Sequence, residues 1–182
     1  RLRLAHFSVK EYLISDRAAQ GPSAYYHISE EKANLRMGHA CLGRILRHSG
    51  EGTEHWNEAE KLSFLYHSAR HWFTYFRSIE YTAPTPLSEA AVKVLELGQA
   101  WLGIHDPDRP WQSPPLGPWP RPPAIYYCSL LNLATACKLL VNRKEDAVNV
   151  NTQGGRYGNA LQAAVADATE SVVQLLLERG AD

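Results

Sequence analysis

Eight of the eleven prolines fall between Asp106 and Pro123. No other feature constrains the fold as much. A proline has no amide hydrogen, and its ring clashes with the preceding turn, so this density forbids helix. The chain must divide here into two ordered regions, 1–105 and 124–182, joined by a stiff, extended segment over 106–123. A docking peptide for proline-reading domains is the alternative. Trp111 and Trp119 favour a joint, because two large apolar side chains in a linker tie it down onto a neighbouring surface.

The first region reads as an irregular helical bundle. Arg1 to Leu4 alternates polar and apolar residues, which suits the end of a short strand. Ser8 and Glu11 have capping-box spacing for a first helix, with Val9, Tyr12 and Leu13 on its inner face and Gly21-Pro22 ending it. A second helix starts at the Ser29 cap, with Glu30 and Glu31 in its first turn, and carries Leu35, Leu42, Ile45 and Leu46 as far as Gly50. The third has the clearest amphipathic pattern. Leu62, Leu65, Tyr66, Ala69, Trp72, Phe73 and Phe76 recur at three- and four-residue steps. Pro84 and Pro86 separate it from a fourth helix, Ser88 to about Ile104, which buries Ala91, Val92, Leu95, Trp101 and Leu102.

Beyond the joint the sequence repeats itself at an offset of 36 residues. Ile125-Tyr126-Tyr127-Cys128 matches Leu161-Gln162-Ala163-Ala164, and Lys138-Leu139-Leu140 matches Gln174-Leu175-Leu176. The period is close to the roughly 33 residues of an ankyrin unit. The excess falls in Asn142 to Asn149, where a loop absorbs it. Residues 151–182 resemble an ankyrin repeat: Leu161, Ala163 and Ala164 fit the inner helix, and Val172, Val173, Leu175, Leu176 and Leu177 the outer one. Gly180 fits the left-handed residue that ends it. Asn159-Ala160-Leu161-Gln162 stands where the family has Thr-Pro-Leu-His. Residues 124–150 form a degenerate first repeat, as end units often are. The expected fold is all-α, a helical bundle followed by ankyrin-type helix pairs that begin an α-solenoid.

The first region resembles something as well. Leu4-Ala5-His6-Phe7-Ser8-Val9-Lys10-Glu11-Tyr12-Leu13 is similar to the segment that closes the winged-helix region of NACHT-type (STAND) signalling NTPases. Phe64-Leu65-Tyr66-His67-Ser68-Ala69-Arg70-His71-Trp72 is similar to the helical region that follows in fungal members. Ankyrin arrays commonly come next in that family, with the Gly-Gly-Xaa-Tyr-Gly-Asn-Ala-Leu-Gln form seen from Gly154 to Gln162. The resemblance implies a cytoplasmic signalling protein switched by ATP and ADP. It also implies that His6 contacts nucleotide phosphate in the parent, where a histidine at a helix start would face an anion. The chain has no Walker loop, so no cofactor and no catalysis are expected within it. Its two ends, at Arg1 and Asp182, read as cut from a longer protein.

Composition narrows the remaining classes. Nineteen basic residues balance nineteen acidic ones, so no clustered positive charge marks a nucleic-acid or anionic-membrane partner. No apolar run is long enough to span a bilayer. Cys41, Cys128 and Cys137 lie on apolar helical faces and read as buried free thiols of a reducing compartment. His67 and His71 stand four residues apart on one helix, a spacing that can hold a metal. The metalloprotease pattern needs Glu where Ser68 stands, and local spacing supplies no third ligand, so polar-face histidines are the better reading and a metal-dependent enzyme the weaker one. A plain ankyrin adaptor with no NTPase is the other alternative. Asp106 and Asp108 should start turns. The expected partner is a protein, met through Tyr126, Tyr127, Arg143, Lys144, Glu145, Asp146, Gly155, Arg156 and Tyr157. An uncovered outer edge on the last repeat would also allow self-association.

Overall fold

A computed structural model describes residues 7–49, 64–108, 122–143, 148–166 and 170–182. Every regular element among them is helical. The expected strand over Arg1 to Leu4, His6, most of the proline joint and Lys144 to Asp146 lie outside the described residues. None of the described helices is long and apolar enough to cross a membrane.

The N-terminal part departs from expectation. Helix α1 spans Phe7–Ile14 and α2 spans Asp16–Gln20. Ser8 lies inside α1 rather than at its cap. The single expected helix breaks at Ser15, whose hydroxyl donates to the Tyr12 carbonyl at 2.7 Å and accepts the Ala18 amide at 3.3 Å. Serine competes for backbone groups in this way and so favours caps over helix interiors. Val9 and Tyr12, expected to face inward, are exposed, and α1 buries no residue.

From Ser29 onward the pattern holds better. Helix α3, Glu30–Arg47, begins where Ser29 Oγ accepts the Lys32 amide at 3.3 Å. Helix α4, Phe64–Ile79, buries Leu65, Ala69, Trp72 and Phe76 along one stripe and packs against α3. Helix α5, Thr85–Leu97, starts three residues earlier than expected and contains Pro86 in its first turn. An N-terminal amide has no partner in a helix anyway, so proline is tolerated there. Gly98, at φ 42°, ends α5, and its amide donates to the Val94 carbonyl at 3.1 Å. Trp101 and Leu102 therefore sit on a separate short helix, α6, Gln99–Leu102.

Past the joint come α7 (Ala124–Leu130), α8 (Ala134–Val141), α9 (Ala160–Ala166) and α10 (Glu170–Leu177). The 36-residue offset is kept in the buried side chains: Tyr127 with Ala163, Cys128 with Ala164, Ala136 with Val172 and Leu140 with Leu176 are all buried. Helix α7 packs on α9, and α8 on α10. Asn132 (φ 54°) and Gly180 (φ 79°) close α7 and α10 in the same way. Leu133 N–H donates to Cys128 O and Ala181 N–H to Leu176 O, the double-bonded helix end that needs a left-handed residue. Arg179 donates to the Val141 carbonyl at 3.0 Å and to Asn142 Oδ1 at 2.6 Å, fastening α10 to the end of α8.

Helix α5 joins the two regions. It packs on α3 in the bundle and on both α7 and α8. Apart from Ala18 on α2, the buried apolar residues described form one cluster running from Cys41 to Ala181.

Candidate functional site

The most closely built polar site lies where the joint meets the hairpins. Asp106 folds the chain locally: its Oδ1 accepts the Asp108 amide at 3.0 Å, the Asx turn expected of it. That turn delivers Asp108 into the interior, where it is only 3% exposed. Tyr126 and Tyr127 arrive from the first turn of α7, which starts after Pro123. The Tyr126 hydroxyl donates to Asp108 Oδ1, and the Arg156 amide donates to Asp108 Oδ2 at 2.9 Å. Tyr127 Oη donates to Asp106 Oδ1 at 3.3 Å, and the Tyr157 amide donates to Tyr126 Oη at 3.3 Å.

Gly155 makes this approach possible. Its φ is 75°, and a Cβ there would lie 2.1 Å from Tyr126 Cζ. Burial first, and then the neighbouring carboxylates, push both phenols well above the ordinary tyrosine range. They stay neutral and act as donors to the acids. The site is thus a lock between segments 18 and 48 residues apart. An edge-to-face aromatic series continues it into the bundle: Tyr126 to Tyr127 at 5.5 Å, Tyr127 to Trp101 at 5.8 Å and Trp101 to Trp72 at 5.4 Å between ring centroids.

A second buried acid works similarly. Glu80, 4% exposed, follows α4 and accepts the Thr135 amide at the start of α8. Helix α8 has no side-chain cap of its own. The carboxylate of Glu80 meets the positive end of α8 in its place. Burial raises the Glu80 pKa, and hydrogen bonds from the backbone at Thr135, Ala134 and Ala136 oppose the rise.

Two histidines, His67 and His71, lie together on α4. The His67 and His71 rings are 4.7 Å apart, and His67 Nε2 lies 3.0 Å from Tyr75 Oη. His105 stacks on Phe73 at 6.4 Å. Its pKa is lowered to about 4, by burial first and then by Arg70 and His71. That of His71 is lowered by partial burial, His67 and Arg70. No set of three or more metal-ligating side chains occurs among the described residues.

Of the expected contact residues, Tyr126 and Tyr127 are buried, at 0% and 2% exposure, and are internal struts rather than surface contacts. Their hydroxyls are engaged by the two acids. Arg143 is exposed and pairs with Glu96. Gly155 and Tyr157 are half-buried at the lock, and the exposed Arg156 guanidinium lies 5.4 Å from the Tyr157 ring centroid. His6, Lys144, Glu145 and Asp146 fall outside the described residues. Sequence reasoning missed the buried role of Asp108 and the capping role of Glu80. Neither leaves a local signal, because their partners lie 18 to 55 residues away.

No protein-family model matches the chain, and no solved structure is significantly similar to it. One curated relative is the azaphilone pigments biosynthesis cluster protein L of Monascus ruber, 31% identical over an alignment of 201 residues. The alignment takes in 99% of this chain, which spans 41% of the relative's length. This finding overturns two expectations, that the chain serves a NACHT–ankyrin signalling NTPase and that it has no enzymatic part. The relative is named for a pigment biosynthesis cluster, not for a signalling NTPase. The physical source of the error is plain. Stretches such as 64–72 are shaped by the need to bury one helical stripe, and function does not follow from a shared helical pattern.

Proposed function

We propose that the chain is a helical segment of a protein that takes part in the biosynthesis of an azaphilone-type pigment, and that its paired hairpins form the surface on which a protein of the same pathway docks. The similarity along 99% of the chain carries the biosynthetic reading. The docking reading is supported by the hairpin stack. Residues 124–182 repeat their buried positions at a 36-residue offset, with small buried alanines on α9 and a left-handed Gly180 after α10, which is compatible with stacked helix pairs of ankyrin type. Val165 and Leu177 are 60% and 55% exposed on the last hairpin. Exposed apolar side chains of that size suit contact with a further packing surface.

Two experiments separate the parts of this reading. Deleting the gene in its host should abolish or reroute pigment formation, and an unchanged metabolite profile would sink the biosynthetic role. The pair Val165→Asp and Leu177→Asp should leave helicity and Tm unaltered, because both side chains are exposed. It should still lower pigment output and weaken the pull-down of pathway proteins obtained with the unaltered chain. Full output with both aspartates in place would remove the docking surface and leave the biosynthetic role standing.

A further inference from the structure

Two of the three cysteines meet inside the first hairpin. Cys128 on α7 and Cys137 on α8 are both fully buried, and their sulfurs lie 2.8 Å apart. That is closer than two sulfurs rest in ordinary contact, and the Cys137 thiol points at Cys128 Sγ. The remaining polar neighbours are modest: Cys128 donates to the Ile125 carbonyl at 3.3 Å, and Ser129 Oγ is 3.9 Å from Cys137 Sγ. Cys41 lies apart in the bundle, on α3.

We propose that Cys128 and Cys137 are an oxidisable dithiol, and that a hydroperoxide converts them into a disulfide that staples α7 to α8. A disulfide needs its sulfurs at about 2.0 Å, so the two sulfurs must close by less than an ångström. In the reaction, one thiolate attacks the peroxide O–O bond, giving a sulfenic acid and, with a proton, one water. The second sulfur then displaces the sulfenic oxygen, which leaves as a second water. Two thiols and one hydrogen peroxide become one disulfide and two waters, and the two electrons pass from sulfur to peroxide oxygen. Burial pushes the Cys128 thiol up, and Cys137 adds to the rise. The closed hairpin therefore reacts slowly, and oxidation proceeds as the hairpin opens.

The position of the bond gives it a consequence. Helix α7 carries Tyr126 and Tyr127 to the acid lock, and α8 begins at the Glu80 cap. A covalent tie between them joins both anchors of the hairpin. The test treats the full chain with hydrogen peroxide, then unfolds it with an alkylating reagent and maps the thiols by mass spectrometry. The expected product has lost two hydrogens, carries alkyl label on Cys41 alone, and gives one peptide linked through Cys128 and Cys137. Its Tm should rise by roughly 5 °C or more. Cys41→Ala should behave like the parent, and Cys137→Ala should show neither the link nor the peroxide-dependent Tm rise. Label on all three cysteines after peroxide, separate sulfinic acids, a link to Cys41 or to a second chain, or an unchanged Tm in the linked protein would each overturn the proposal.

Discussion

In the bundle, the space between α3, α4 and α6 is filled by Cys41, Leu42, Trp72, Phe76 and Trp101, each essentially inaccessible. In the last hairpin, α9 buries only alanines, Ala160, Ala163 and Ala164. The first arrangement encloses a thick core around large rings. The second lets thin layers lie close together, each depending on its neighbour. The contrast explains why the polar locks sit where they do. Thin layers bury little area of their own, so the hairpins are fastened to the bundle by Asp108, Glu80 and the ring series from Tyr126 to Trp72.

If this contrast is right, the largest loss should follow from emptying the thick core. Trp72→Ala should cost about 3–5 kcal/mol, read from the denaturant midpoint. No alanine in α9 can match it, since there is so little side chain to remove. Gly155→Ala should come next, at about 2–4 kcal/mol, because it meets both an unfavourable φ and the Tyr126 ring. A cost below that of an ordinary surface change would show that the lock can yield without strain.

The pH response should divide the regions too. His105 is neutral when folded down to about pH 4, while an unfolded histidine takes up its proton near 6.5. The unfolded state therefore binds more protons as pH falls from about 6.5 toward 4, and stability is lost over that window. Because the ring is partly exposed and solvent screens its charge, the loss between pH 7 and pH 5 should be about 1 kcal/mol. His105→Phe should flatten it, and an unchanged acid limb would point to other groups. Glu80 has the opposite sense. Its raised pKa keeps the folded carboxyl protonated above the usual range, so its contribution declines as pH rises through that interval. Glu80→Gln keeps an acceptor for the Thr135 amide and should be nearly neutral. Glu80→Ala leaves α8 uncapped and should cost about 1–2 kcal/mol by thermal melts.

Much of the thin-layer region was legible in the sequence. The 36-residue register, the alanine positions and the Gly180 helix end recur in place, because repetition and periodicity are local signals. The Ser29 cap and the stripe on α4 are local signals as well. What escaped depends on distant partners. Tyr126 looks like an exposed inner-helix contact until Asp108 and Gly155 are brought against it. Cys128 and Cys137 each read as a thiol on an apolar face, and only the helix turn at Asn132 puts them together. Pro86 reads as a breaker, yet it sits in the first turn of α5, where it is harmless. Function was the least legible: short stretches at 4–13, 64–72 and 154–162 resemble a signalling family, whereas the relative that aligns with 99% of the chain is a pigment biosynthesis cluster protein.

The central claim is that bundle and hairpins share one continuous core held by the Asp108 lock. Hydrogen exchange on peptides from α4 and α9 tests it most directly. In the native chain both should report the same opening free energy, the signature of one cooperative unit. In Asp108→Ala, the α9 peptide should exchange well before the α4 peptide. Early exchange of α9 in the native chain, with α4 still protected, would contradict the account.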